Sequence, residues 1–360
     1  MIESIDLRKS FRIHRRQESG VLRFVRRKAV DVEAVAGVSF KVGAGEMIGY
    51  VGPNGAGKST TIKMLTGILQ PSGGRVRVAG LDPARQRLEV AKRIGVVFGQ
   101  RSQLWWDLPL LDSFELLRHI YRVPADAYRQ RLAYFTELLE LGSFLETPVR
   151  QLSLGQRMRG DLTASLLHAP PVLFLDEPSI GLDVVAKARI RDLLAQINRD
   201  QGVTILLTTH DMADIERLCS RMLIIDHGRV IYDGGIEAIR EQYGDERTVV
   251  VDLAEAGPPL TVPDATVTRT DGPRQWLRFR RSETTAAQVV ASVAATARLR
   301  DLTIEEPAIE DIVRGIYERG DRRQNTGVRR GETSPVSCLL GEVVASVAPV
   351  HGLDVDRRDV

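Results

Sequence analysis

The sequence has no long apolar run. A membrane-spanning helix needs about 20 consecutive, mostly apolar residues, and the most apolar stretches of this 360-residue chain, at 171–175 and 203–207, are far shorter. No transmembrane segment is therefore expected. The first residues, Met1-Ile2-Glu3-Ser4-Ile5-Asp6, lack both the basic start and the apolar core of a secretory signal, which predicts a chain that stays in the cytoplasm. Cysteine is scarce. Cys219 and Cys338 are far apart and in unlike contexts, so they give no disulfide framework or metal site and suit a reducing compartment. The formal net charge is only +3, and a nucleic-acid partner is not expected. No internal repeat is visible. The length exceeds the roughly 250–300 residues at which one core stops growing, which predicts one large domain with additions or two domains.

What is present is a pattern of strands and helices. Residues 35–42 and 46–51 read as short strands around the turn Gly43-Ala44-Gly45, and 61–69 has helical spacing, with Ile62, Leu65, Ile68 and Leu69 on one face. Further strands are expected at 74–79 and 93–97, and a helical block from about 110 to 142. From 171 onward, apolar runs at 172–175, 203–207 and 221–226 alternate with helical patterns at 184–199 and 212–219. Short continuous apolar runs between amphipathic helices imply a largely parallel sheet covered on both faces, so the fold class is α/β. Beyond about 243 the pattern becomes two or three strands and a helix at 284–297. The division expected is 1–243 as the main domain, with a helical subdomain at about 101–168, then 244–320 as a small α+β appendix. Residues 321–360, rich in Arg, Gly and Ser, read as a disordered tail with a short element near 343–347.

Between the second strand and the first helix lies Gly52-Pro53-Asn54-Gly55-Ala56-Gly57-Lys58-Ser59-Thr60, which satisfies G-x-x-x-x-G-K-[ST]. Glycines let the backbone curl so that its N–H groups point at phosphate oxygens. The lysine neutralises the β- and γ-phosphates, the serine hydroxyl ligates Mg²⁺, and the helix adds its N-terminal dipole. The strand Val172-Leu173-Phe174-Leu175-Asp176-Glu177 ends in two acids. A carboxylate leaving a buried strand suits Mg²⁺, and a second beside it suits orientation and deprotonation of a water; Asp176 is assigned to the metal and Glu177 to the base.

Leu152-Ser153-Leu154-Gly155-Gln156 resembles the signature of the ABC ATPases, usually written L-S-G-G-Q. With the phosphate loop, Gln100, Asp176-Glu177, Ser179-Ile180-Gly181-Leu182-Asp183 and Thr209-His210, it follows the family's order and spacing over roughly residues 1–240. The chain departs from the pattern at Leu154, where glycine is usual. The resemblance implies ATP and Mg²⁺ as ligands and two subunits closed head to tail, with Ser153, Gly155 and Gln156 of one facing the γ-phosphate held by Lys58 of the other. It implies that Gln100 contacts Mg²⁺ or the water, that His210 holds the γ-phosphate, and that Asp183 links the two sites. Phe11 is the candidate for stacking on adenine. Trp105 and Trp106 fall where the family receives a membrane permease, and either an interface or core filling is open to them.

The resemblance is strongest to the ATPases of ABC-2 type exporters, which implies a separate permease and a place on the inner face of the membrane. A sugar importer's ATPase would carry a longer regulatory domain. The competing class, an ABC ATPase acting on ribosomes or nucleic acid, would show two cassettes or a long coiled coil. A regulatory subunit with weak turnover is a third reading. Nine Lys/Arg and one acid between Arg8 and Lys28 form an island suited to acidic lipid headgroups or permease loops, or else a solvated loop.

Overall fold

The computed structural model describes residues 1–16, 27–99 and 101–325. The chain opens with two long strands, β1 (Ile2–Arg16) and β2 (Arg27–Val42), and continues through β3 (Met47–Val51), α1 (Lys58–Leu65), β4 (Gly73–Val78), α2 (Arg87–Ala91) and β5 (Ile94–Phe98). A helical stretch follows, α3 (Leu110–Ile120), α4 (Ala125–Leu138) and α5 (Leu154–Leu166). Alternation resumes with β6 (Val172–Asp176), α6 (Val184–Gln201), β7 (Thr204–Thr208), α7 (Met212–Leu218), β8 (Arg221–Asp226), β9 (Arg229–Gly235) and α8 (Ile236–Tyr243). Last come β10 (Glu246–Leu253), β11 (Ala265–Asp271), β12 (Arg274–Arg280), α9 (Ala286–Thr296), β13 (Leu299–Glu305) and α10 (Ile309–Asn325).

A six-stranded sheet in the order β5-β6-β7-β3-β8-β9 forms the centre, parallel except for β9. Its inner strands β3, β6, β7 and β8 are largely apolar because each face is covered, whereas the edge strand β9 is mostly polar and partly exposed. Side chains alternate across a strand, so Leu173 and Leu175 of β6, Ile205 and Leu207 of β7, and Met222 and Ile224 of β8 enter one core with α3–α6. Their neighbours Phe174, Leu206, Leu223 and Ile225 enter a second core, shared with α1 and the antiparallel sheet β2-β1-β4. Burying each such side chain contributes about 1.5–3 kcal/mol, and both cores share the one sheet that carries the phosphate loop.

A four-stranded antiparallel sheet, β11-β12-β10-β13, has its own small core under α9, including Val249, Val251, Leu277, Phe279, Val289 and Val293. The α10 helix, whose first part was grouped with the appendix by pattern, returns to the main core: Ile309, Ile312, Val313 and Ile316 pack there with Ile236 and Ile239 of α8. Its helical backbone runs to Asn325, so 321–325 corrects the expectation of a disordered tail from 321. Residues 326–360, with the element foreseen near 343–347, lie outside the described residues. The basic island is likewise not all loop, since β1 runs to Arg16 and β2 starts at Arg27 in one antiparallel register; its residues 17–26 lie outside the described residues.

Candidate active site

Register brings the chemistry to one edge. In β5, β6 and β7, Phe98 pairs with Asp176 and Asp176 with Thr208, while β3 is parallel to β7 with Gly49 opposite Leu207. The segments leaving these carboxyl ends, at 52–57, 99, 177 and 209–210, therefore meet in the crevice where α/β sheets bind ligands.

The phosphate loop curls between β3 and α1. Gly57 is the N-cap of α1 at φ 103°, and a Cβ there would lie 2.5 Å from the Ala34 carbonyl of β2, so the position accepts only glycine. The loop is held from below by Gly228 N–H donating to Ala56 O at 3.0 Å. Lys58 is 7% exposed, and its Nζ donates to the carbonyls of Gly52 (2.5 Å) and Pro53 (3.1 Å). Burial pulls its pKa below the usual lysine value, against the opposing pull of the Glu177 and Asp176 carboxylates. Pro53, Asn54, Gly55 and Ser59 are exposed, Thr60 is half-buried, and Gly52 and Ala56 are buried.

Ser59, Lys63, Phe98, Gly99, Asp176 and Glu177 line a cleft of about 270 Å³ beside the loop. Thr208 Oγ1 donates to Asp176 Oδ1 at 2.7 Å, and Glu177 N–H donates to both Thr208 O (3.0 Å) and Thr208 Oγ1 (3.2 Å). Those bonds hold Glu177 at φ 58°, a left-handed conformation that costs a non-glycine residue about 1–3 kcal/mol and clusters at functional sites. His210 Nε2 lies 2.5 Å from Glu177 Oε1. One edge thus presents a phosphate cradle, two carboxylates and an imidazole.

The comparisons agree with this geometry. Residues 35–180 match the ABC transporter family. The daunorubicin resistance ATP-binding protein DrrA3 of Streptomyces coeruleorubidus is 32% identical over 299 residues, covering 82% of this chain and 93% of that one. The chain belongs to the ABC transporter ATP-binding proteins. The Nod factor export ATP-binding protein I of Ralstonia nicotianae is 36% identical, over 64% of this chain and 75% of the relative. Among solved structures, an ATP-binding subunit of an ABC transporter shares 27% identity with a TM-score of 0.57, covering 68% of this chain and 93% of that one. A dimeric bacterial ABC transporter cassette shares 26% with a TM-score of 0.56, covering 66% and 99%. The chain is accordingly an ABC ATPase that binds and hydrolyses ATP.

Other residues of this ABC ATPase singled out from sequence fall at helix starts. Ser153 caps α5: its Oγ accepts from Gln156 N–H at 3.2 Å, while Gln156 Oε1 accepts from Ser153 N–H at 2.9 Å. This reciprocal cap stabilises the helix by about 1 kcal/mol. Gly155 follows in the first turn of α5, with Leu182 beside it. Asp183 caps α6, its Oδ1 accepting from Ala186 N–H at 2.8 Å. Leu154 packs on the turn that carries Gly181, at φ 69°, where an added Cβ would stand 2.6 Å from Leu154 Cδ2; the signature's bulky residue is matched by a glycine across from it. Gln100 lies outside the described residues. Trp105 and Trp106 are 38% and 53% exposed, with Arg157 over the Trp106 ring at 5.7 Å, so neither fills a core.

Sequence reasoning missed three supporting residues. Thr208 orients both acids. Asp214 of α7 accepts from Ser179 Oγ at 2.8 Å and faces Arg191 at 3.3 Å, tying the Ser179–Asp183 segment to the helix after His210. Asp161 of α5 holds residues 102 and 103. None of the three belongs to a motif, and the partner of each is remote in sequence.

No group of three or more His, Cys, Asp or Glu able to hold a metal occurs among the described residues. The donors in the cleft, the Ser59 hydroxyl and the Asp176 carboxylate, nevertheless suit Mg²⁺, which prefers oxygen and commonly combines one or two protein ligands with phosphate oxygens and water.

Proposed function

We propose that this ABC ATPase powers an ABC-2 type exporter, working as a pair with a second nucleotide-binding subunit on the cytoplasmic face of the membrane beside a separate permease. The observation that carries the catalytic part is the Glu177–His210 contact of 2.5 Å at the edge that also holds Asp176 and the phosphate loop. Loop N–H groups and Lys58 hold the β- and γ-phosphates. Ser59, Asp176 and Gln100 are assigned to Mg²⁺, which when bound neutralises charge on the phosphate oxygens. Glu177 orients a water and takes its proton as the water oxygen bonds to the γ-phosphorus and the bond to the ADP oxygen breaks. His210 fixes the Glu177 carboxylate and reaches the γ-phosphate.

Ser153, Gly155 and Gln156 are assigned to the site of the other subunit, where the N-terminal end of α5 offers its positive dipole to the γ-phosphate. Pairing is supported by the exposed apolar side chains of Ile180, Val184 and Val185 around Asp183, of which Val184 is 79% exposed. Phe11 is assigned to adenine: it pairs with Val32, two residues along β2 from the Ala34 carbonyl that abuts Gly57. The exposed Trp105 and Trp106 are assigned to the permease. Export is supported by relatives named for daunorubicin resistance and Nod factor export. No helix among the described residues is long and apolar enough to cross a membrane, which is why the reading needs a separate permease.

Two measurements test this. Glu177→Gln should abolish turnover while leaving ATP binding intact, and the chain should co-purify from detergent-solubilised membranes with a hydrophobic partner. Recovery with ribosomes instead would contradict the exporter reading.

A further inference from the structure

We propose that Asp161 is a positioning residue for hydrolysis, a buried tether that fixes the turn after Gln100 to the helix bearing the signature motif. The inference rests on the part assigned to Gln100 above. Two anchors bracket that position in the chain. On one side Gly99 N–H donates to Asp176 O at 2.8 Å, joining the end of β5 to the end of β6. On the other, Ser102 Oγ and Gln103 N–H both donate to Asp161 Oδ1, at 2.9 and 3.0 Å, and Gln103 Nε2 donates to the Asp161 carbonyl at 3.1 Å. Ser102 Oγ in turn accepts from Leu104 N–H at 3.1 Å, and Leu104 is buried. Next to Asp161, Gly160 leaves no room: a Cβ there would stand 2.8 Å from Leu110 Cδ1 and 3.2 Å from Leu104 Cδ1. The segment 102–104 is thus seated on α5 by packing as well as hydrogen bonds.

Asp161 sits two turns beyond Ser153, about 12 Å along the axis at 1.5 Å per residue. It is 4% exposed, and desolvation raises its pKa to about 6, partly offset by its donors and by Arg157 one turn earlier. A carboxylate in such a place is unfavourable unless each hydrogen bond is made, and packing alone would be served by an apolar residue. What the carboxylate adds is a fixed distance between the signature helix, which faces the partner's nucleotide, and the chain at the metal end of this subunit's own cleft. Displacement of α5 is then carried to that turn.

The test is steady-state ATP hydrolysis by the full-length protein and by Asp161→Ala, Asp161→Asn, Gln100→Ala and the double variant Asp161→Ala/Gln100→Ala. Asp161→Ala should lower kcat by about tenfold or more, in the range of lost supports behind a metal site, with KM for ATP within about twofold. Asp161→Asn, which keeps the acceptor, should retain most of the rate. The double variant should be no slower than Gln100→Ala. The tether is overturned if Asp161→Ala turns over like wild type, if Asp161→Asn is as slow as Asp161→Ala, or if the double variant's loss is the product of the two single losses. Gln100→Ala at the wild-type rate would sink the part given to Gln100, and the tether with it; a slow Gln100→Ala beside a wild-type Asp161→Ala sinks the tether alone. If Asp161→Ala does not fold, Ser102→Ala carries the test, expected to slow turnover by about threefold and not to add to Gln100→Ala; a wild-type rate overturns the proposal.

Discussion

Replacing Thr208 by valine tests how the carboxylate edge is built. Thr208 is fully buried and valine nearly matches its shape, so the change removes a hydroxyl and leaves no cavity. The hydroxyl supplies the 2.7 Å hydrogen bond to Asp176 Oδ1 and accepts the 3.2 Å one from Glu177 N–H. The second loss is softened because Glu177 N–H keeps the Thr208 carbonyl at 3.0 Å. The first is not, and a hydrogen bond to a charged group contributes about 1.5–3 kcal/mol. Urea unfolding should register a loss of that size. With its orienting donor gone, Asp176 should hold Mg²⁺ about 10–100-fold more weakly, the usual effect of removing a support behind a metal ligand. The assay is ATP hydrolysis at saturating ATP against free Mg²⁺. The half-saturation point should move upward while ATP affinity measured without metal stays as it was, since Lys58 and the loop are untouched. An unchanged Mg²⁺ curve alongside the stability loss would refute the assignment of Asp176 to the metal.

Gly181→Ala should impair hydrolysis and cost about 1–2 kcal/mol of stability, from the left-handed φ and the clash with Leu154; Leu154→Ala in the same chain should restore part of both, and an unaffected single variant would contradict the packing described. Asp161→Asn should stabilise the protein at pH 8. The folded-state pKa of Asp161 is raised from 3.8 to about 6, so its protonated form contributes stability that is present below pH 4 and lost as pH rises through 6; the difference is about 3 kcal/mol at most. His168, stacked on Tyr121 and lowered to about 4 by burial, acts oppositely, contributing stability above pH 6.5 that is lost as pH falls through 4. Melting temperatures from pH 4 to 8 should therefore lose an opposing slope in each of Asp161→Asn and His168→Gln, and parallel profiles would disprove this. Trp106→Ser should reduce recovery of the permease in a detergent pull-down, and full recovery would remove Trp106 from that interface.

Much of the fold was legible where one face or both faces of an element are buried. The strands β3, β6, β7 and β8 are continuous apolar runs because cores lie on both sides of the central sheet. The first helix was foreseen at 61–69, yet α1 starts at Lys58 and stops at Leu65, because Thr66 Oγ1 turns back onto Ile62 O and Gly67 takes φ 74°. The block at 110–142 divides at Pro124 and at Arg122, φ 54°. Strands β1, β11 and β13 went unread or were only vaguely placed. The first carries bulges that break its alternation, and the other two are sheet edges with mostly exposed side chains. The contiguous motifs were legible as segments: 52–60 runs from β3 into α1, Asp176-Glu177 stands at the end of β6, and Ser153-Leu154-Gly155-Gln156 opens α5. Thr208, Asp214 and Asp161 were not, because each acts through a partner about thirty or more residues away, and sequence spacing carries no trace of such a pairing.

The measurement that bears most directly on the account is sedimentation of Glu177→Gln protein with saturating Mg-ATP. With hydrolysis blocked, Lys58 of one subunit and Ser153, Gly155 and Gln156 of the other should close on the same nucleotide, giving a dimer that separates when ATP is withdrawn. Protein that binds Mg-ATP fully and remains monomeric at tens of micromolar, alone and with its permease-bound counterpart, would contradict the shared site.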